Sequence, residues 1–181
     1  MRIESVWSYE ADGPIGSYPV VADTPDGPLV LVGTGDGRLI CLDSIGREVW
    51  SLALDGELRA PVVASISGNP TVLVGSDTGW VYACTLGGEL LWSTRVNDVW
   101  RPEPFNRGIT GPTGIAPISG GGEAAIVVAD KAGVLSGLSA VGETVWRAEL
   151  VTPTHFRGIG SPAVADLDGD GVDEIVVSGF D

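Results

Sequence analysis

The chain has 181 residues and a formal net charge of −14. That acidity excludes a surface built to contact nucleic-acid phosphates. No apolar run approaches the roughly 20 residues a membrane-spanning helix needs. Its 27 glycines, 12 prolines and 44% apolar residues fit an all-β chain with many turns and a packed core.

In chain order, short apolar segments separated by Gly- and Asp-rich turns predict strands in groups of four, named A to D. The chain opens on a D strand at Glu4–Tyr9. The first full group has A near Tyr18–Ala22, B near Leu29–Gly33, C near Arg38–Leu42 and D near Glu48–Ala53. The second has A near Ala60–Ile66, B near Thr71–Gly75, C near Trp80–Thr85 and D near Glu89–Arg95. The third has A near Thr113–Pro117, B near Ala125–Ala129, C near Val134–Leu138 and D near Thr144–Leu150. The chain closes with A at Ser161–Ala165 and B at Ile175–Ser178. The B segments are almost wholly apolar, as strands covered on both faces should be. The C–D connections place Gly46, Gly88 and Gly142 at turns that call for positive φ.

One phrase recurs through these groups. A Gly-containing turn, a C strand, a second turn glycine and a tryptophan follow one another, ending on Trp50, Trp92 and Trp146, with Trp7 opening the series. The tryptophans are 43, 42 and 54 residues apart. A repeat of that length built from short strands is the signature of a propeller blade. The expected fold is therefore all-β, a β-propeller of four-stranded antiparallel blades, with about three and a half blades in this chain. It forms a single partial propeller over residues 1–181, with repeats near 8–53, 54–96, 97–150 and a partial one at 151–181. Open ends of such a ring are aggregation hazards. A protein partner or self-association is therefore expected, either as a longer propeller or through other chains. A two-fold dimer would complete an eight-bladed ring.

Cys41 lies five residues before Gly46, and Cys84 four before Gly88. That offset points the two side chains to opposite faces of their strands, which speaks against a disulfide and for two buried core residues.

The phrase resembles the quinoprotein-type, or PQQ-like, propeller repeat. The resemblance covers nearly all of the chain. It implies a propeller whose Trp7, Trp50, Trp92 and Trp146 each dock on the neighbouring blade. Proteins with this repeat include alcohol and sugar dehydrogenases, outer-membrane assembly factors and sensor domains of kinases. This sequence has no adjacent Cys-Cys pair of the kind some of those dehydrogenases carry beside the cofactor.

A second, local pattern stands at Asp166-Leu167-Asp168-Gly169-Asp170-Gly171-Val172-Asp173-Glu174. Calcium takes six to eight oxygens, and carboxylates at alternating positions of a tight loop supply them. Asp166, Asp168 and Asp170 would give carboxylates, Val172 its carbonyl, and Glu174 a further carboxylate. Position 12 of the loop is Val177 instead of Glu, so this is not an EF-hand. It is similar to the calcium loop of FG-GAP, integrin-type propeller repeats, and calcium is the expected cofactor. The other A–B connections lack the pattern.

Alternating strand direction puts D–A and B–C loops at one end of the blades and A–B and C–D loops at the other. Arg59, Arg101, Arg107, Arg157, Arg38 and Lys131 fall at the D–A end. So does the insertion of the longest repeat, with Trp100 and Phe105, and the Thr154–Arg157 segment with His155 and Phe156. Aromatic and arginine side chains in loops suit a protein interface. The expected partner-binding set is Trp100, Arg101, Phe105, Arg107, His155, Phe156 and Arg157, with no catalytic residue. The expected function is a non-enzymatic, WD40-like propeller scaffold or protein-binding module with a structural calcium site. Part of a quinone-dependent dehydrogenase or other propeller enzyme, and a ligand-sensing domain, are the alternatives. The N-terminus lacks the apolar core of a signal peptide. This implies a cytoplasmic protein if Met1 is the native start, and an extracellular or periplasmic one if the N-terminus was trimmed.

Overall fold

A computed structural model describes residues 4–96, 114–120, 122–150 and 160–178. Fourteen strands arise in chain order, and no helix is assigned among the described residues. Blade 1 holds β1 (Val20–Ala22), β2 (Leu29–Gly33), β3 (Arg38–Leu42) and β4 (Glu48–Ala53). Blade 2 holds β5 (Val62–Ile66), β6 (Asn69–Gly75), β7 (Trp80–Thr85) and β8 (Leu90–Arg95). Blade 3 holds β9 (Ile115–Pro117), β10 (Ile126–Ala129), β11 (Val134–Leu138) and β12 (Thr144–Glu149). A two-stranded sheet, β13 (Ala163–Ala165) and β14 (Glu174–Val176), follows.

Each four-stranded sheet pairs in sequence order and antiparallel throughout. β1 packs beside β5, β5 beside β9, and β9 beside β13, so the first strands of successive blades lie side by side. That is the radial repetition of a propeller, and the fold is a partial all-β propeller.

The burial gradient follows from this arrangement. The second and third strands are the most covered, in blade 1 with Tyr9 and Ala11 on the side away from blade 2; β10 is buried along its whole length. The fourth strands form the outer rim and alternate between exposed and half-buried positions. Leu31, Leu39, Val72 and Val74 of blades 1 and 2 form one core layer, and Leu73, Val81, Ile126 and Leu138 of blades 2 and 3 form the next.

The repeated phrase has a local cause. At each B–C turn a polar side chain caps the hairpin: Thr34 Oγ1, Ser76 Oγ and Asp130 Oδ1 accept the N–H of the residue four further on, Arg38, Trp80 and Val134. The C–D turns repeat the device, with Asp43 Oδ1, Thr85 Oγ1 and Ser139 Oγ accepting from Arg47, Glu89 and Glu143. These side chains mimic a backbone turn.

The tryptophans tie the blades together. Trp50 Nε1 donates to Leu86 O at 2.9 Å, and Trp92 Nε1 to Ala140 O at 3.0 Å. Each indole thus reaches the C–D turn of the following blade and lies over its glycine. Gly46, Gly88 and Gly142 have φ of 79°, 86° and 83°, and a Cβ on any of them would stand 2.6–2.7 Å from an indole ring atom. Glycine is required there for two reasons, the left-handed backbone and the ring above it. Within each blade a small residue faces the tryptophan across the ladder: Cys41 opposite Trp50, Ala83 opposite Trp92, Gly137 opposite Trp146.

Two expectations need correction. Residues Glu4–Tyr9 form no strand. A D strand needs a C strand to pair its backbone groups, and none precedes it among the described residues. Trp7 nevertheless behaves as a D-strand tryptophan, donating to Ser44 O at 3.1 Å over Gly46. The first strands are also shorter than expected at their N-terminal ends, β1 beginning at Val20 and β5 at Val62. The two cysteines are free and buried, as expected, although their opposite faces do not hold them apart. Opposite faces of adjacent blades look toward each other, so Cys41 and Cys84 meet in the same core layer, both buried as free thiols.

Candidate metal centre

The hairpin between β13 and β14 is built by its own carboxylates. Asp166 Oδ1 accepts the N–H groups of Gly169 at 2.7 Å and Asp170 at 3.2 Å, and Asp166 Oδ2 accepts that of Gly171 at 2.9 Å. Asp168 Oδ1 accepts from Asp170, and Asp170 Oδ1 from Val172. Gly169 and Gly171, with φ of 81° and 88°, make the left-handed steps that let the chain wrap round Asp166.

Asp166, Asp168 and Glu174 converge, each offering an oxygen within 4.8 Å of the others. Glu174 closes the far side, its Oε2 accepting the Leu167 N–H at 2.7 Å. A carboxylate carries about four lone-pair sites. The hydrogen bonds above leave acceptor capacity on all three. Asp170, another expected carboxylate ligand, stands outside this trio. The donors are all hard oxygens, which suit calcium or magnesium over softer metals.

The loop is also held from outside, by residues the ligand pattern did not single out. Asp173 Oδ2 accepts the Ser119 N–H at 2.6 Å, and the Asp173 N–H donates to Ser119 O at 3.1 Å. Gly120, next to Ser119, leaves no space for a Cβ against Gly171 and Val172. So the A–B loop of blade 3 props the acidic loop of the next sheet. The glycine run beginning at Gly120 was the available sequence signal, since close backbone approach asks for glycine.

The expected partner-binding residues Trp100, Arg101, Phe105, Arg107, His155, Phe156 and Arg157 all lie outside the described residues. Arg38 forms ion pairs with Asp12 and Glu48, both at 3.2 Å, and Arg59 pairs with Glu57 at 3.4 Å. Glu48 is further held by Tyr9, whose hydroxyl donates to it at 2.5 Å. That bond, followed by one from Ser51, keeps the Glu48 carboxyl below the usual carboxylate range, and it raises Tyr9.

A family model described as outer membrane protein assembly factor BamB matches residues 4–67, from before Trp7 through blade 1 and into the second. Together with the solved structures below, it supports a PQQ-like β-propeller. One such structure is BamB from Moraxella catarrhalis, at 20% identity and a TM-score of 0.61, with 88% of this chain and 47% of that chain covered. Another is BBS1N in complex with ARL6DN, at 15% identity and a TM-score of 0.65, covering 98% of this chain and 56% of that one. The C-terminal domain of PilY1 from Pseudomonas aeruginosa gives 21% identity and a TM-score of 0.58, over 83% and 36%. At these identities the likeness is one of fold. The chain spans about half the length of the first solved structures it matches. No curated protein matches it.

Proposed function

We propose that the chain is a non-catalytic propeller scaffold, which presents its loop ends to a protein partner or a second copy and binds one calcium ion in the Asp166–Glu174 loop. The convergence of Asp166, Asp168 and Glu174 in a loop buttressed by Asp173 and Ser119 carries the metal reading. Calcium would add to this hairpin what the hydrogen bonds alone do not give, a positive centre among clustered carboxylates. Asp170 and the Val172 carbonyl, with water, complete the six to eight oxygens calcium takes. The scaffold reading draws on the fold, and on BBS1N, a propeller of the same kind whose solved complex contains ARL6DN.

An ion that binds only the folded chain stabilises it, by about 2.7 kcal/mol at a hundred times its dissociation constant. Calcium titrated into the chelator-treated chain should release heat and raise Tm. Asp168→Ala should abolish both. A parent chain that shows neither heat nor shift at millimolar calcium removes the site. Light scattering tests the self-association arm, and a mass of one chain at every concentration removes it.

A further inference from the structure

The inner junctions of the array are made alike. One face of a blade packs on the opposite face of the next. Between blades 1 and 2 the layer joins Leu31, Leu39 and Cys41 to Val72, Val74 and Cys84. Between blades 2 and 3 it joins Leu73, Val81 and Ala83 to Ile126, Val128 and Leu138. The ladder registers fix the counterparts. Leu31 pairs with Val20 and Cys41 in blade 1 as Leu73 pairs with Val62 and Ala83 in blade 2. Val30 therefore stands in blade 1 where Val72 stands in blade 2, and Val21 where Val63 stands.

Blade 1 has the receiving face, with no blade against it among the described residues. Val32, Ile40 and Leu42 are buried there, and Tyr9 and Ala11 pack on them. The N-terminal segment thus holds the outer place, with Trp7 over Gly46. It leaves the inner strand open. Val21 is 62% exposed, while its counterpart Val63 is half-buried. Tyr18 is 67% exposed, while its counterpart Ala60 is buried. Val21 pairs with Val30 and Val30 with Leu42, so these three are neighbours across adjoining strands and form one surface.

The last sheet carries the opposite face. Ile175 and Val177 pack toward blade 3, so Val176 between them points away. Ala163 pairs with Val176 across the ladder and shares that side. Val176 holds the place of Leu31, Leu73 and Val127. Those three are fully buried against the following sheet, whereas Val176 is 51% exposed. Ala163 and Ala165 are exposed with it.

One chain therefore bears a face and also the face that its own repeat mates with it. That self-complementarity selects a second copy as the occupant. Each chain contributes four sheets, and two copies make eight, within the four to eight blades that propellers use.

We infer that two copies of this chain close into one ring, the Val176 and Ala163 face of each last sheet packing on the Val21, Val30 and Leu42 face of the other copy's blade 1. The inference rests on the self-association reading and names the faces that meet. The two-fold axis makes the junction twice in each pair.

Sedimentation velocity of the 181-residue chain over a range of concentrations should give a mass of two chains. Val21→Glu and, separately, Val176→Arg each put a charge into both junctions. Each should weaken the pair about a hundredfold, about tenfold per junction. Mixed in equal amounts, the two variants should recover the two-chain mass. One junction is then unsubstituted, and the other sets Glu against Arg. A variant with a damaged fold would not recover. Leu91→Glu, at an exposed position on the outer strand of blade 2, should leave the mass unchanged.

A two-chain mass kept by both face variants would place the contact elsewhere, overturning the inference and leaving self-association standing. A mixture that stays dissociated would overturn it as well. So would a mass that climbs past two chains with concentration, the mark of an open array. A single chain at every concentration removes the inference together with the self-association arm.

Discussion

Gly88→Ala isolates the contact that joins one blade to the next. The residue has φ of 86°, and a Cβ there would lie 2.7 Å from Cδ2 and 2.9 Å from Cγ of Trp50. Carbon atoms rest about 3.5–4.0 Å apart, so the indole must retreat by about 1 Å. The retreat strains or breaks the 2.9 Å bond from Trp50 Nε1 to Leu86 O, worth about 1 kcal/mol. The left-handed backbone adds about 1–2 kcal/mol for any residue with a Cβ, and lost ring packing adds about another 1 kcal/mol. The sum is about 3–4 kcal/mol. Gly68→Ala supplies the control. Its φ is 81°, nearly the same, but a Cβ there meets nothing within 4 Å. Only the backbone cost remains, about 1–2 kcal/mol. Urea unfolding of the parent and both variants measures the difference, expected at about 2 kcal/mol. In a chain of this size that is roughly 4–8 °C of Tm. Equal losses in the two variants would refute the argument, because the glycine would then be needed for its backbone alone.

Two further results are expected. Burial raises the thiols of Cys41 to about 11 and Cys84 to about 12 from an ordinary 9.0. The fold therefore favours their protonated forms: their contribution is complete below about pH 9 and is lost as pH rises through 11–12. Stability measured from pH 8 to 11 should fall, and replacing both residues by Ala should flatten the fall; an unchanged slope would assign it to other groups. Asp173→Ala removes the acceptor for the Ser119 N–H without touching Asp166, Asp168 or Glu174. It should weaken calcium binding several-fold, as outer-shell changes do, while a calorimetric titration still shows one site. Unchanged affinity would mean the prop does not matter to the loop.

The blades were legible in the sequence because two periodicities agree. Strand alternation and turn chemistry predict the hairpins, and the recurrence of tryptophan 42 to 54 residues apart sets the repeat. Of the twelve strands in the three full blades, β2, β3, β4, β7 and β11 fall on the expected residues, since each is bounded by a capping side chain or a turn glycine. The inner strands are shorter than expected, because apolar residues such as Ala60 stay buried in the core without joining the ladder. The meeting of Cys41 and Cys84 between blades was not legible, for a different reason. Alternation assigns a side chain to a face of its own sheet, and only the stacking of sheets says which faces meet. The Asp173–Ser119 tie was illegible on the same ground, since its partners are 54 residues apart and neither belongs to the repeated phrase.

Two kinds of tie thus join successive sheets, at different distances from the axis. Between blades 1 and 2, and between 2 and 3, an outer tryptophan from one blade clamps the C–D turn of the next. Thr94 adds to the second clamp with a bond of 2.5 Å to Gly142 O. Between blade 3 and the last sheet, the described tie is instead at the A–B loops, through Ser119 and Asp173, beside the only described loop with converging carboxylates. Trp146 there packs in a layer with Ile175 and Val177. In a repeat protein each unit is stabilised mainly by its neighbours, so the weakest junction governs how the array opens. An ion in the Asp166–Glu174 loop would strengthen the junction that lacks a described turn clamp.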